Sequence, residues 1–160
     1  MVYPIILALH NGLRWLVLGS LLAVLINSYA GWLRSGPDSK SNPLIAPQTL
    51  RIVATSIAHT QLLVGIYLYT LSPIVSYYWK AHPRYSDAPE FSFFALIHMG
   101  LMVTSIVLMT IGSSKAKRQT DTRQKFRTTA IYFTIGLVLI LVAIPWPFSP
   151  LAARPWVRTF

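Results

Sequence analysis

PIILALHNGLRWLVLGSLLAVLINSYAGWL, residues 4–33, carries a single charge, Arg14. A helix needs about 20 consecutive apolar residues to cross a hydrocarbon core, and this run exceeds that. No basic segment precedes it, and it continues far past the apolar region of a cleavable signal, so it is expected to remain as a spanning helix. Its length implies tilt or projection beyond the bilayer. Asn27, Ser28, Tyr29 and Trp32 mark its far interface.

Three further apolar blocks follow, at about 48–71, 91–112 and 128–144. Apolar residues make up 54% of the 160 and charged residues only 11%. Ordinary soluble domains carry roughly a quarter charged residues. The sequence therefore describes an all-α, polytopic membrane protein: one membrane domain over residues 1–160, built as an up-down four-helix transmembrane bundle. The loop at 34–43 is full of helix breakers. Residues 74–90 form the longest excursion, and residues 113–127 read as a strongly basic loop. The tail at 145–160, rich in proline and tryptophan, is expected to lie along the outer headgroups.

The formal net charge of +10 does not point to nucleic acid, because the basic residues sit at the ends of the apolar blocks, where anionic lipid lies. Nine of them (Arg34, Lys40, Arg51, Lys115, Lys117, Arg118, Arg123, Lys125 and Arg127) fall on one side. Four (Lys80, Arg84, Arg154 and Arg158) fall on the other. The positive-inside bias predicts that the first set is cytoplasmic and that both termini are on the outer, periplasmic side of a bacterial inner membrane. There is no cysteine, so disulfides and thiolate-held metals or clusters are excluded. Asp38, Asp87, Glu90 and Asp121 all lie in loops or at helix ends, so no buried carboxylate pair is available for acid–base work or proton coupling. No phosphate-cradling glycine loop or nucleophile elbow occurs.

The candidate chemistry is in the histidines. His10 and Arg14, four residues apart, share one face of the first helix. An ionisable residue inside a membrane segment is costly, and its default reading is functional. His98 repeats the pattern His-x-Gly-Leu in the third block. His10 lies about six residues and His98 about eight residues inside the same outer face, so at ~1.5 Å per residue they share a depth. The first and third helices of an up-down bundle are diagonal, so these two histidines can look at each other across the core. Two neutral imidazoles in an apolar slot suit the axial positions of a b-type haem, with Arg14 as a partner for a propionate. Gly12 and Gly100, each two residues after a histidine, would admit a close neighbour. Hydrogen bonding between helices and a snorkelling Arg14 account for the same residues without a cofactor. His59 shares a face with Thr55, Leu62 and Ile66, with Gln61 turned away; a second haem, a quinone carbonyl and a simple cross-helix bond all suit it. His82, beside a proline, is expected to be solvated.

The stretches H-N-G-L-R-W (10–15), H-T-Q-L-L-V-G-I-Y-L-Y (59–69), I-H-M-G-L (97–101), I-G-S-S-K-A-K-R (111–118) and I-P-W-P-F (144–148) resemble a family of small four-helix bacterial inner-membrane proteins labelled cytochrome b or cytochrome b-like. The resemblance covers essentially the whole chain. It implies a haem protein of a respiratory or related electron-transfer system, with His10, His59, His98 and Arg14 as the matching residues. The expected function is an electron-transfer subunit within a larger membrane complex, exchanging electrons with quinol near the outer face. An 18.0 kDa bundle leaves little room for independent catalysis. The alternatives are a cofactor-free accessory subunit and a pigment-binding one, since a single axial histidine also suits a chlorophyll magnesium.

Overall fold

The computed structural model describes residues 2–34, 47–150 and 152–156. Residues 35–43 of the expected polar loop and residues 157–160 of the tail lie outside the described residues. Every described element is helical: α1 (Val2–Arg34), α2 (Pro47–Leu71), α3 (Pro73–Ala81), α4 (Pro89–Ser92), a π-helical turn (Phe93–His98), α5 (Met99–Arg118) and α6 (Thr122–Ala143). The α4, π-helical and α5 segments form one continuous helix, Pro89–Arg118. With α1, α2 and α6 it makes four helices long and apolar enough to cross a membrane.

The bundle closes in chain order. α1 packs against α2 and α6, and α5 packs against the same two, so α1 and the Pro89–Arg118 helix stand diagonally. The core between them is apolar: Val17, Leu21, Val24 and Leu25 from α1, Ala54 and Ala58 from α2, Ile106 and Met109 from α5, Phe133 and Ile140 from α6. Leu16, Leu22, Ile26, Leu63, Val107 and Val138 point outward. In water such an exposed apolar surface would be a liability; against lipid it is the expected one.

Close approach between helices is set by three glycines. A Cβ on Gly31 would fall 2.5 Å from the Phe126 ring, one on Gly112 2.3 Å from Tyr132 Cβ, and one on Gly136 2.6 Å from Met109 Cγ. Ser105, fully buried, donates to Gly136 O at 2.8 Å across the same α5–α6 seam. Lipid tails give no hydrophobic drive for helices to associate, so small residues and interhelical hydrogen bonds hold such a seam. Gly12 and Gly100 do not serve it. A Cβ at either meets nothing within 4 Å.

Helix ends depart from the apolar blocks in three places. The basic stretch is not a loop: α5 runs on to Arg118, and α6 starts at Thr122, leaving a three-residue turn. Asp121 is the N-cap, accepting from Arg123 N and Gln124 N. Hydropathy ends where the membrane span ends, whereas Lys, Arg, Gln and Ala continue a helix well into water. Lys115, Lys117 and Arg118 also suit the negative end of the α5 dipole.

Ser72-Pro73, which ends the second apolar block, also starts α3. Ser72 Oγ caps Val75 N at 3.4 Å and Pro73 takes the first helical position, where its missing N–H costs nothing. The third spanning helix starts at Pro89 rather than 91. His82 ends α3 in the left-handed region at φ 45° and is exposed, as expected.

Candidate functional site

A cavity of about 190 Å³ opens between the diagonal helices α1 and α5. His10 and Arg14 reach it from α1, Gln61 and Gly65 from α2, Phe94 and His98 from the π-helical turn, and Arg154 from the tail. The walls between these groups are Leu7, Val17, Leu62, Met102, Ile106 and Ile140, all apolar. The two imidazole ring centres are 6.4 Å apart, with their planes at 72°.

Each position follows from local structure. On α2 the stripe Ala58, Gln61, Leu62, Gly65, Leu68, Tyr69 has the three-and-four spacing of one helix face. Gly65 leaves the room that His10 fills: a Cβ there would be 3.1 Å from His10 Cε1 and 3.7 Å from Nδ1. The Nδ1–Cε1 edge of His10 therefore faces α2. On the third spanning helix the π-helical turn ends at His98. Such turns re-aim side chains and recur at functional sites. Here Tyr69 OH donates to Ala95 O at 3.0 Å, tying the turn to α2. Phe93 and Phe94 flank the His98 ring, each with ring centres 6.0 Å from it.

The histidines differ in their second nitrogen contact. His98 Nδ1 lies 2.8 Å from Ala143 O. A carbonyl only accepts, so Nδ1 carries the hydrogen, and Nε2 of the neutral ring keeps its lone pair. Ala143 is the last residue of α6, where carbonyls lack intrahelical partners. Among the described residues, His10 Nδ1 is buried and has no hydrogen-bond partner. Gln61 Nε2 donates to His10 O at 2.8 Å, while Gln61 Oε1 is buried without a partner. Arg14 Nε is the third such atom. All three belong to residues of the cavity wall.

One end of the cavity is built by the tail. Beyond α6 the chain folds back across the bundle, and Pro145, Arg154 and Pro155 complete the cavity wall. Arg14 Nη2 donates to Trp156 O at 2.5 Å, and its guanidinium lies 5.1 Å from the Trp15 ring centre and 5.9 Å from that of Trp146. Trp15 and Trp156 stack at 27°. Arg154 pairs with Glu90 at the start of the third spanning helix and lies 5.3 Å from the Phe94 ring centre. The described tail is thus fastened at two points to the helices that carry the histidines.

The structure gathers His10, His98 and Arg14 at one cavity. His59 is elsewhere: exposed on α2, with Nδ1 2.8 Å from Thr55 O of its own helix and Nε2 3.3 Å from Thr110 Oγ1. Gln61 faces away from His59, as its spacing requires, and for that reason faces the cavity. Its place next to His10 had a signal in the three-residue step from Ala58. Arg154 had none, because its neighbour Glu90 is 64 positions away. Comparison with models of known protein families, with curated proteins and with solved structures found no match to this chain.

Proposed function

We propose that this chain is a b-type haem-binding electron-transfer subunit of a bacterial inner membrane, in which His10 and His98 would hold the haem. The observation that carries the reading is the pair of imidazoles lining one apolar cavity, 6.4 Å between ring centres. Metal–imidazole bonds are about 2 Å, and a ring centre lies about 1 Å beyond its nitrogen, so two ligands of one metal have centres roughly 6 Å apart. A histidine pair in simple edge-to-face packing has a similar spacing, but ionisable side chains gathered in a membrane-spanning bundle mark a functional site by default, and here His10, His98 and Arg14 line one cavity. Two imidazoles are the donor set that a b-type haem takes from its protein.

At about 190 Å³ the cavity is below the ~300–1,000 Å³ of pockets that enclose a whole ligand, so a macrocycle here requires α1 and α5 to part or its edge to emerge between helices. The haem would supply one-electron chemistry. The chain's residues hold it: His10 and His98 on the metal, Arg14 as the donor facing a propionate, Met102, Ile106 and Ile140 keeping water out. Partner subunits would cover part of the exposed apolar surface, and quinol near the outer face is the expected electron partner. The cytoplasmic placement of the α5–α6 turn, and the periplasmic placement of both termini, rest on the distribution of basic residues.

The test is the absorption spectrum of the purified protein, oxidised and reduced. A reducible Soret band with a low-spin α-band is expected. His10→Ala and His98→Ala should each give a high-spin or haem-free protein, while His59→Ala keeps the low-spin spectrum. A colourless wild type, or conversion by His59→Ala alone, sinks the assignment.

A further inference from the structure

Ligand histidines in metal sites usually donate their second ring N–H to a fixed acceptor, which selects the tautomer and aims the ligating nitrogen. His98 has that acceptor in Ala143 O, 2.8 Å away. For His10, among the described residues, Nδ1 is buried without a partner. The nearest helix supplies a candidate. Gln61 is held on His10 itself, through the 2.8 Å bond from its Nε2 to the His10 carbonyl. Its Oε1 is buried and also lacks a partner. The edge of His10 that bears Nδ1 faces the same helix, with the Gly65 position 3.7 Å away, one turn beyond Gln61.

We infer that Gln61 is the positioning residue of His10: its Oε1 accepts the His10 Nδ1–H, directly or through one water, and so leaves Nε2 free to ligate. A donor and an acceptor buried without partners in the wall of one cavity each carry a large desolvation cost, and one bond relieves both. A single water with two polar partners does the same. Gln61 is suited to the task because its amide has two ends. The Nε2 end is anchored to the α1 backbone, which aims the Oε1 end at the ring of the residue that anchors it. The arrangement parallels the His98 contact, with an amide side chain in place of a helix-terminal carbonyl.

The assignment of His10 as a ligand rests on the proposed function, but the tautomer does not: it is a property of the chain without cofactor. The experiment is therefore run on cofactor-free protein in detergent, with nitrogen-15-labelled histidine and two-bond nitrogen–proton correlation spectra. The His10 signals are assigned by their loss in His10→Asn. In the wild type both His10 and His98 should be Nδ1–H tautomers. Gln61→Leu should move His10 toward Nε2–H, changing its tautomer ratio about fivefold for a hydrogen bond of ordinary net strength, and leave His98 on Nδ1–H. Gln61→Met, which keeps the length of the side chain but has neither the amide donor nor its acceptor, should do the same. His98 also reports on folding, since its tautomer depends on the end of α6 staying in place. If Gln61→Leu loses the His98 signature, the Gln61→Met result decides. A wild-type His10 on Nε2–H, or a His10 tautomer unchanged in either variant with His98 intact, overturns the inference. A protein that fails to bind haem yet shows these tautomers would overturn the proposed function and leave the Gln61 contact standing.

Discussion

Replacing Gly112 by alanine adds one methyl group at the tightest of the glycine contacts described, the crossing of α5 and α6. The new Cβ would lie 2.3 Å from Tyr132 Cβ and 2.6 Å from Tyr132 Cγ. Carbon atoms pack at about 3.5–4.0 Å, so the overlap exceeds an ångström. The atoms it meets are the root of the tyrosine side chain, which cannot swing aside without moving α6. Overpacking of this kind costs about 1–3 kcal/mol. Alanine also gains about 1 kcal/mol over glycine in helix propensity, which would blur a single measurement. Gly19→Ala and Gly100→Ala remove the ambiguity: both sit in helices with nothing within 4 Å of the added Cβ, so they collect the same gain and none of the cost. In a reversible unfolding titration of the detergent-solubilised protein, Gly112→Ala should be about 1–3 kcal/mol less stable than either control. Equal midpoints for all three variants would refute this packing of α5 against α6, and the seam with it.

Two other outcomes follow from the site and the charge distribution. In the proposed haem-bound state, Arg14→Leu should leave His10 and His98 in place but lower the reduction potential by tens of millivolts, because one charge at about 10 Å in an effective dielectric near 20 is worth about 1.7 kcal/mol; Arg14→Lys should recover only part of it, and unchanged potentials in both would separate Arg14 from the proposed haem. The chain lacks cysteine, so single-cysteine variants at Ser86 and Thr120, both exposed, can be probed with an impermeant thiol reagent on intact cells. Ser86→Cys should label and Thr120→Cys should not; the reverse would invert the orientation.

The four spanning helices were legible because hydropathy over twenty residues is a strong, local signal, and the shared depth of His10 and His98 followed from helical rise alone. Helix ends were not. At 113–127 hydropathy and helix propensity diverge, and an apolar count sees only the first. Gly12 and Gly100 illustrate a different limit. A glycine's role depends on which helix stands opposite, and the glycines that face a neighbour, Gly31, Gly65, Gly112 and Gly136, sit in no pattern that marks them. Gln61 was visible as a residue off the His59 face, but its partner at position 10 is 51 residues away. The contacts of Arg14 with Trp156 and of Arg154 with Glu90 span 142 and 64 positions, beyond any periodicity.

The fastening of the tail has a consequence for biogenesis. His98 is oriented by the carbonyl at the end of α6, and one end of the cavity is walled by Pro145, Arg154 and Pro155, with the tail held through Arg14 and Glu90. Those parts leave the ribosome after the three helices that precede them. Until they emerge, the two imidazoles stand in an unfinished vestibule, one lacking its orienting contact and both lacking a roof. The cavity is therefore complete only once chain elongation has passed the tail, and a stop codon just beyond α6 would leave the four long apolar helices with the cavity open at that end.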